Sequence, residues 1–395
     1  MSALSGLRVL DVSQVLAGPY AAMLLGDMGA DVIKVEAPGH GDHSRQMAPR
    51  ISDELSGAFL AVNRNKRGIS IDLKHPTGRA LIHRLAATAD VLIENFRPGV
   101  AARLGIDFET LAELNPRLIH SSISGFGQTG PYASRGGFDL VAQGMSGLMS
   151  VTGTASGEPV KCGVPITDLG AGMFATYGIL AALAARERTG RGQQVDTSLF
   201  ETGLGLEVWE AVEFFHTGNT PQPTGSAHRL GAPYQAFRCS DGYINVGADG
   251  SRHWPVFCKT IGLSELADDP RFATNPDRLA NLADLVAHIE ERTMDQPREH
   301  WLGLLEEVGI PAGPINTVPE ALADPQALAR DMVVEVEHPR LGTLRALGPV
   351  VKLSDTPDKI SKAAPDLGQH TDEVLLELGL DAGEIDALRA GGVLG

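Results

Sequence analysis

The chain has 395 residues, of which 43% are hydrophobic and 46 are glycine, and it carries a formal charge of −16. That length and apolar share suit a large α/β interior divided into two domains, and they exclude a disordered or fibrous chain. The acidic balance speaks against a nucleic-acid partner, because phosphate backbones are bound by basic surfaces.

The opening MSALSGLRVLDVS has no long apolar run behind a positive start, and no later segment is expected to reach the length of a membrane span. A cytoplasmic protein with no membrane partner is therefore expected. From the N-terminus, LRVLDV reads as a short apolar strand, AAMLLGDMGA as an amphipathic helix closed by glycine, and DVIKVE as a second strand. Together they make a βαβ unit. The alternation continues through GISIDL, the helix HPTGRALIHRLAATA, the strand VLIENF, a helical stretch to Asn115 and the strand RLIHSSIS. Such a pattern predicts a parallel sheet covered by helices. After a polar loop, a long helical pattern runs from Asp168 to Gly190, followed by the strand QQVDTSLF and the helix LEVWEAVEFF. The turn-rich HTGNTPQPTGSAHRLGAP is the best linker candidate. Beyond it, YQAFRC and YINVGA flank SDG as a hairpin, and three amphipathic helices between Trp254 and Val308 complete a smaller α+β domain. VVEVEHPRLGTLRAL reads as another hairpin, and the tail from Asp372 is helical.

Cys162, Cys239 and Cys258 are far apart and lack CxxC spacing, so neither a disulfide framework nor a metal site is expected. Glu36 ends the second strand where a ribose-binding acid would stand, but SQVLAGP replaces the G-x-G-x-x-G turn that lets a backbone approach a pyrophosphate. No G-x-S-x-G elbow, Walker loop or H-E-x-x-H is present; His288-Ile289-Glu290 lacks the second histidine. A nucleophile is to be sought among Asp, Glu, Cys and Ser. On its residues alone, Asp168 reads as the N-cap of the long helix, its oxygens accepting first-turn amides.

The runs LSGLRVLDVSQVLAGPYAAMLLGDMGADVIKVEAPGHGD, NRNKRGISIDLKHPTGR, VLIENFRPGV, SGFGQTGP, PITDLGAG, RGQQVDTSLFE and VGIPAGPINTVPE resemble, in that order and over nearly the whole chain, the class III CoA-transferases, the group of formyl-CoA and carnitine CoA-transferases. The resemblance implies a Rossmann-like large domain with a parallel sheet, a smaller α+β domain inserted in it, and an interlocked homodimer. The expected division is a large domain over 1–200, a linker over 201–232, a small domain over 233–321, a return linker over 322–345, and a C-terminal part, 346–395, packing on the large domain.

It also implies that Asp168 is the catalytic aspartate, with a helix N-terminus favouring its charged form. Coenzyme A is then substrate and product, an acyl-CoA and a carboxylic acid are the partners, and no permanently bound cofactor is required. The CoA positions carried over are Leu16 and Ala17, Ile71, Asp72, Leu73 and Lys74, Asn95, Phe96 and Arg97, Arg103, and Gly136, Gly137, Phe138 and Asp139. Lys74, Arg97 and Arg103 suit the nucleotide phosphates. Backbone amides near Gly136, Gly137 and the start of the Asp168 helix are candidate oxyanion donors. Leu16 and Ala37 depart from the glutamine and arginine that formyl-CoA transferases place there. The related α-methylacyl-CoA racemases use a histidine where this chain has Phe138, which cannot exchange a proton. Racemisation and non-catalytic CoA binding are the alternatives. The lid sequence GSAHRLGAPYQ replaces a glycine run, which points away from formate and oxalate toward a dicarboxylate, with succinyl-CoA as donor. Arg45, His228 and Arg229 are the candidates for pairing its distal carboxylate.

Overall fold

The computed structural model describes residues 2–52, 55–154 and 156–395. The chain divides into two compact units: unit 1 is Met1–Met149, Lys161–Gly218 and Gln326–Gly395, and unit 2 is Ser150–Val160 and Asn219–Pro325.

The first half of unit 1 is a strand–helix alternation of β1 (Arg8–Asp11), α1 (Ala17–Asp27), β2 (Asp31–Glu36), α2 (Gly57–Val62), β3 (Lys66–Ser70), α3 (Pro76–Ala86) and β4 (Val91–Glu94). It continues with α4 (Val100–Leu104), α5 (Phe108–Leu114), β5 (Ile119–Ser124), α6 (Asp139–Ser146), α7 (Leu148–Val151), α8 (Ile166–Thr189), β6 (Gln194–Ser198), α9 (Leu199–Leu206) and α10 (Val208–Thr217). The six strands pair in parallel in the order β3-β2-β1-β4-β5-β6. Both faces of the sheet are covered, and neighbouring strand residues serve opposite faces. Leu10, Ile33, Ile69 and Leu92 pack with α3 and the C-terminal residues Val374, Leu375 and Ile385. Val9, Val32, Val91 and Ile119 pack with Ala21 and Ala22 of α1 and with Ala175 and Ile179 of α8.

Helix α8 corrects one expectation. It is 24 residues long and apolar enough to cross a membrane by length and composition, although no such segment was expected. Its composition has a local cause: Gly170, Ala171, Gly172 and Ala175 are buried, and Gly172 lies directly against the backbone of Ala17 and the ring of Tyr20. Small residues are what let α8 approach α1 so closely.

The stretch 201–217, expected to open a linker, forms most of α9 and all of α10 within unit 1. Leu199, Thr202 and Gly203 of α9 are buried, so α9 is packed structure, whereas α10 has no buried residue. Unit 2 contains the hairpin β7 (Tyr234–Cys239) and β8 (Gly242–Gly247), with β9 (Ala312–Pro314) paired antiparallel to β8. Four helices, not three, lie between the hairpin and β9: α11 (His253–Thr260), α12 (Asn275–Ala280), α13 (Leu282–Thr293) and α14 (Arg298–Glu307). The break between α12 and α13 falls at Asn281, whose side chain donates to the carbonyls of Arg271 and Asp277. Phe237, Phe257, Phe272 and Trp301 are buried at the centre of this unit.

The expected return linker 322–345 holds the end of α15 (Val318–Ala323), then α16 (Pro325–Ala329), β10 (Val333–His338) and part of β11 (Gly342–Leu347). The last two form the expected hairpin. The chain ends with α17 (Thr371–Glu377) and α18 (Ala382–Ala390). Asn65 accepts from the amides of Ser361 and Lys362, and Arg67 pairs with Glu373 and Glu377, so the tail is fastened to β3.

Four charged side chains are fully buried beneath the β1–α1 loop. Lys34 Nζ meets Asp42 at 3.0 Å and Lys66 Nζ meets Asp11 at 2.8 Å. Burial alone would raise the Asp42 carboxyl, but Lys34 and the amides of Ser44 and Val15 hold it at about 2. Lys34 also donates to the Ser13 carbonyl, and Lys66 to the Pro19 carbonyl. A buried charge cluster of this kind is tolerable only when every member is paired, and here it fixes the entry to α1.

Candidate active site

The segments singled out in the sequence follow the C-terminal ends of parallel strands: residues 12–16 after β1, 71–74 after β3, 95–99 after β4 and 125–138 after β5. In an open α/β sheet, ligands gather beyond these ends, where the strand order reverses. The reversal here lies between β1 and β4. A reciprocal amide pair joins the two loops at that point: Gln14 N–H donates to Asn95 Oδ1 at 2.8 Å, and Asn95 Nδ2 donates to the Gln14 carbonyl at 2.7 Å. Val15, with φ 68°, is held in this left-handed turn by Asp42. Leu16 is the cap residue of α1 and supplies no side-chain acceptor, so the amides of Ala17 and Gly18 have no cap side chain to bond, while that of Tyr20 is taken by the Leu16 carbonyl.

Some of the CoA candidates come together and others do not. The Arg97 guanidinium lies over Gly136, where an added methyl would stand 2.9 Å from Nη2. Gly137 packs on Gly125, and a methyl on Gly137 would stand 2.5 Å from the Gly125 Cα. Glycine at these positions therefore serves close approach of side chain and backbone. Arg97, Arg103 and Lys74 are exposed, as phosphate partners must be. Phe96 is half-buried and packs on the core. Ile71 is a core side chain at 1% exposure, and its amide is taken by the Glu36 carbonyl; it has no atom to offer a ligand beyond its carbonyl. Asp72 turns inward to accept the Lys74 amide, and Leu73 packs on the same core.

Three cationic candidates were expected to meet a distal carboxylate. Arg45 is corrected by the structure: it is bidentate to Glu36, both contacts at 2.7 Å, and its guanidinium stacks 3.6 Å above the Phe59 ring. A guanidinium with both edges and one face engaged is a structural cross-link. His228 and Arg229 belong to unit 2, where His228 Nδ1 accepts the Leu230 amide and the ring stands edge-on to Tyr234.

Asp168 is placed by α8, but not as its cap. Pro165 occupies the cap position without a side-chain hydrogen bond, and Asp168 is the third helical residue. The capping oxygen comes from α6: Asp139 Oδ1 accepts the Thr167 amide at 3.0 Å and the Thr167 hydroxyl at 2.8 Å. Among the described residues no hydrogen bond reaches the Asp168 carboxylate. Gly172, one turn on, packs on α1 and Thr176 donates toward the Ala21 carbonyl. Residues four apart share a helix face, so Asp168 stands on the face turned toward the start of α1. Phe138, 75% exposed, precedes Asp139 at the head of α6.

The charge state differs from the expectation of a carboxylate stabilised by a helix end. Burial, and then the neighbouring Asp139 carboxylate, raise Asp168 to about 7. The amide that would have favoured its anion is bonded to Asp139 instead. Thr167, Gln143 and the capping role of Asp139 were not found by sequence reasoning, since Asp139 and Thr167 are 28 residues apart. A half-buried carboxylate with a raised pKa has the chemistry that a nucleophile or a proton acceptor needs near neutral pH.

The chain is similar to known proteins over nearly its whole length. The model of the CoA-transferase family III matches residues 4–371. The succinyl-CoA:glutarate CoA-transferase of Mus musculus is 41% identical, over 100% of this chain and 91% of its own length. The acetyl-CoA:oxalate CoA-transferase of Acetobacter aceti is also 41% identical, over 92% and 93%. Among solved structures, a CAIB/BAIF family protein from Brucella suis superposes with a TM-score of 0.87 at 41% identity, covering 95% of this chain and 99% of that one.

The raised Asp168 has a consequence for stability. Its folded-state pKa lies above the unfolded one, so the unfolded chain releases this proton first and folding loses stability as pH rises from about 4 to about 7. Asp168→Asn lacks that loss. Urea unfolding should give nearly equal midpoints for the two proteins at pH 4.5 and a higher midpoint for the variant at pH 8; equal midpoints at pH 8 would remove the burial and charge argument.

Proposed function

We propose, for a chain that belongs to the CoA-transferase family III and so moves CoA between an acyl-CoA and a carboxylate, that Asp168 carries the acyl group and then CoA itself. The single observation behind this reading is the Asp168 carboxylate at the mouth of α8, half-buried, free of hydrogen bonds and raised to about 7. Its oxygen attacks the donor thioester carbonyl, the C–S bond breaks, and a mixed anhydride and CoA thiolate form. The thiolate attacks the aspartyl carbonyl, releasing the donor acid and leaving an aspartyl-CoA thioester. The acceptor carboxylate displaces the thiolate to give a second anhydride, and the thiolate returns to its acyl carbonyl, freeing the new acyl-CoA and the Asp168 carboxylate. No net proton moves. The amides of Ala17 and Gly18, which no cap side chain takes, are candidates for the oxyanions of these steps, because they lie at the start of α1, the side that Asp168 faces. Phe138, where a racemase needs a base, supports transfer over racemisation.

Trapping tests the nucleophile. Incubation with succinyl-CoA and hydroxylamine should leave a hydroxamate on Asp168 in the wild type, and Asp168→Ala should lose at least about 10³-fold in turnover. Since only the carboxylate attacks, kcat/KM should rise with pH to a plateau with a midpoint near 7. Asp139→Asn should shift that midpoint down. Turnover by Asp168→Ala at the wild-type rate is the result that defeats the mechanism.

The finer substrate reading is succinyl-CoA with a dicarboxylate acceptor. Arg229 supports it by charge alone, and Arg45 no longer does. Arg229→Ala should raise KM for glutarate about tenfold or more while leaving a monocarboxylate such as acetate within about twofold; equal losses on both would end this assignment. A cytoplasmic location belongs to the same proposal and rests on three free cysteines, Cys239 and Cys258 buried among them.

The proposed assembly is an interlocked homodimer. Val208, Val212, Phe214 and Phe215 of α10 are all more than half exposed, Phe215 at 75%, and a run of this kind on one helix marks a protein interface. Sedimentation should show a dimer at micromolar concentration, and Phe215→Glu should weaken it; a monomer at that concentration would exclude it.

A further inference from the structure

We propose that Gln143 is a positioning residue for the transfer reaction, its buried amide holding the Asp139 carboxylate at the mouth of α8 and, with its other end, the segment that delivers Asp168. The proposal rests on the reading of Asp168 as nucleophile.

Gln143 lies on α6, one turn after Asp139, and is 0% exposed. Its Nε2 donates to Asp139 Oδ2 at 2.7 Å. Its Oε1 accepts the Cys162 amide at 2.8 Å. The other Asp139 oxygen is taken by the Thr167 amide and hydroxyl. Both carboxylate oxygens are thus fixed, one by the chain just before Asp168 and one by Gln143. The polarity of the arrangement selects the side chain. A donor must face the carboxylate and an acceptor must face the backbone N–H, and a primary amide of this reach has both. Glutamate lacks the donor, and leucine lacks both groups. Around it, Gly203 of α9 packs closely on Ser146 of α6 and on Thr167.

Because Gln143 is fully buried, it touches no substrate. Its loss should act on the rate of acylation and leave acyl-CoA binding in place. The groups facing Asp168 bear on the pH profile: Asp139 from α6 is the charge acting on it, Tyr20 from α1 packs at Gly172, and Lys161 lies on the preceding segment with its Nζ donating to the Cys162 carbonyl. Glu201 and Glu207, at the two ends of α9, lie against Ser198 and Gly147.

The experiment measures single-turnover formation of the Asp168 adduct from succinyl-CoA against pH, beside the Kd for that ligand. Gln143→Glu keeps the acceptor for Cys162 and sets a second carboxylate against Asp139. It should slow adduct formation about tenfold at pH 7 and move its pH midpoint up by about one unit, with Kd within about twofold. The double variant Gln143→Glu with Asp139→Asn exchanges donor and acceptor across the same hydrogen bond, and it should recover most of the lost rate. If Gln143→Glu does not fold, Gln143→Asn keeps the amide but cannot span both partners, and it should lose about fivefold in rate with little change in melting temperature. A double variant no faster than Gln143→Glu, or a wild-type rate and pH midpoint in Gln143→Asn, overturns the proposal. Asp168→Asn is run alongside: adduct formation in that variant would defeat the nucleophile reading itself, whatever Gln143 does.

Discussion

The contact on which the site depends is the pair of hydrogen bonds from Thr167 to Asp139. A helix N-terminus ordinarily stabilises whatever anion stands nearest its free amides. In α8 the amide of Thr167 is spent on a carboxylate from another helix, and the carboxylate one residue further along is left without one. Asp168 therefore sits at a helix mouth yet is harder to ionise than an aspartate in water. Had Asp168 been the cap, its charge would have been stable and its nucleophilicity correspondingly weak.

The same economy of partners runs through the sheet below. Asp11, Lys34, Asp42 and Lys66 are buried, and each finds an opposite charge. Burial pushes Lys66 down to about 8, against the pull of Asp11 and with the push of Lys34. The Lys34 ammonium also reaches the backbone of the β1–α1 loop at Ser13 and that of Lys66 reaches Pro19 in the first turn of α1, and Asn95 ties the loop to the one after β4. The crevice at the strand reversal is thus held from beneath by ions and from the side by an amide pair.

What the residues disclosed, and what they did not, divides by range. The alternation was readable because β1, β2 and β4 are short, largely apolar runs separated by helical patterns; the polar β3 and β6 were placed by their position between helices. The place of Asp168 was readable from the segment around it. Its position within the first turn was not, since Asp168 and Ile166 are equally acceptable beginnings for the helical pattern, and the choice is made by Pro165 and by Asp139 from elsewhere. Arg45 was misread for a similar reason. A basic residue in a polar loop looks available, and only the fold brings Glu36 and Phe59 against it. Within 201–217 the helix LEVWEAVEFF was readable, but that α9 is packed in unit 1 while α10 has no buried residue was not, because burial is decided by the neighbours each helix meets in the fold.

The like charges of Asp139 and Asp168 bear on where the enzyme rests. In the proposed reaction an anhydride or a thioester on Asp168 is neutral, so each covalent form would remove one of two negative charges crowded at the start of α8. The empty protein is the electrostatically costly state, and bonding to an acyl group or to CoA relieves it. The covalent intermediates of the proposed reaction should accordingly lie close in free energy to the bound substrates, which would let the exchange run readily in either direction under the control of whichever acids are present.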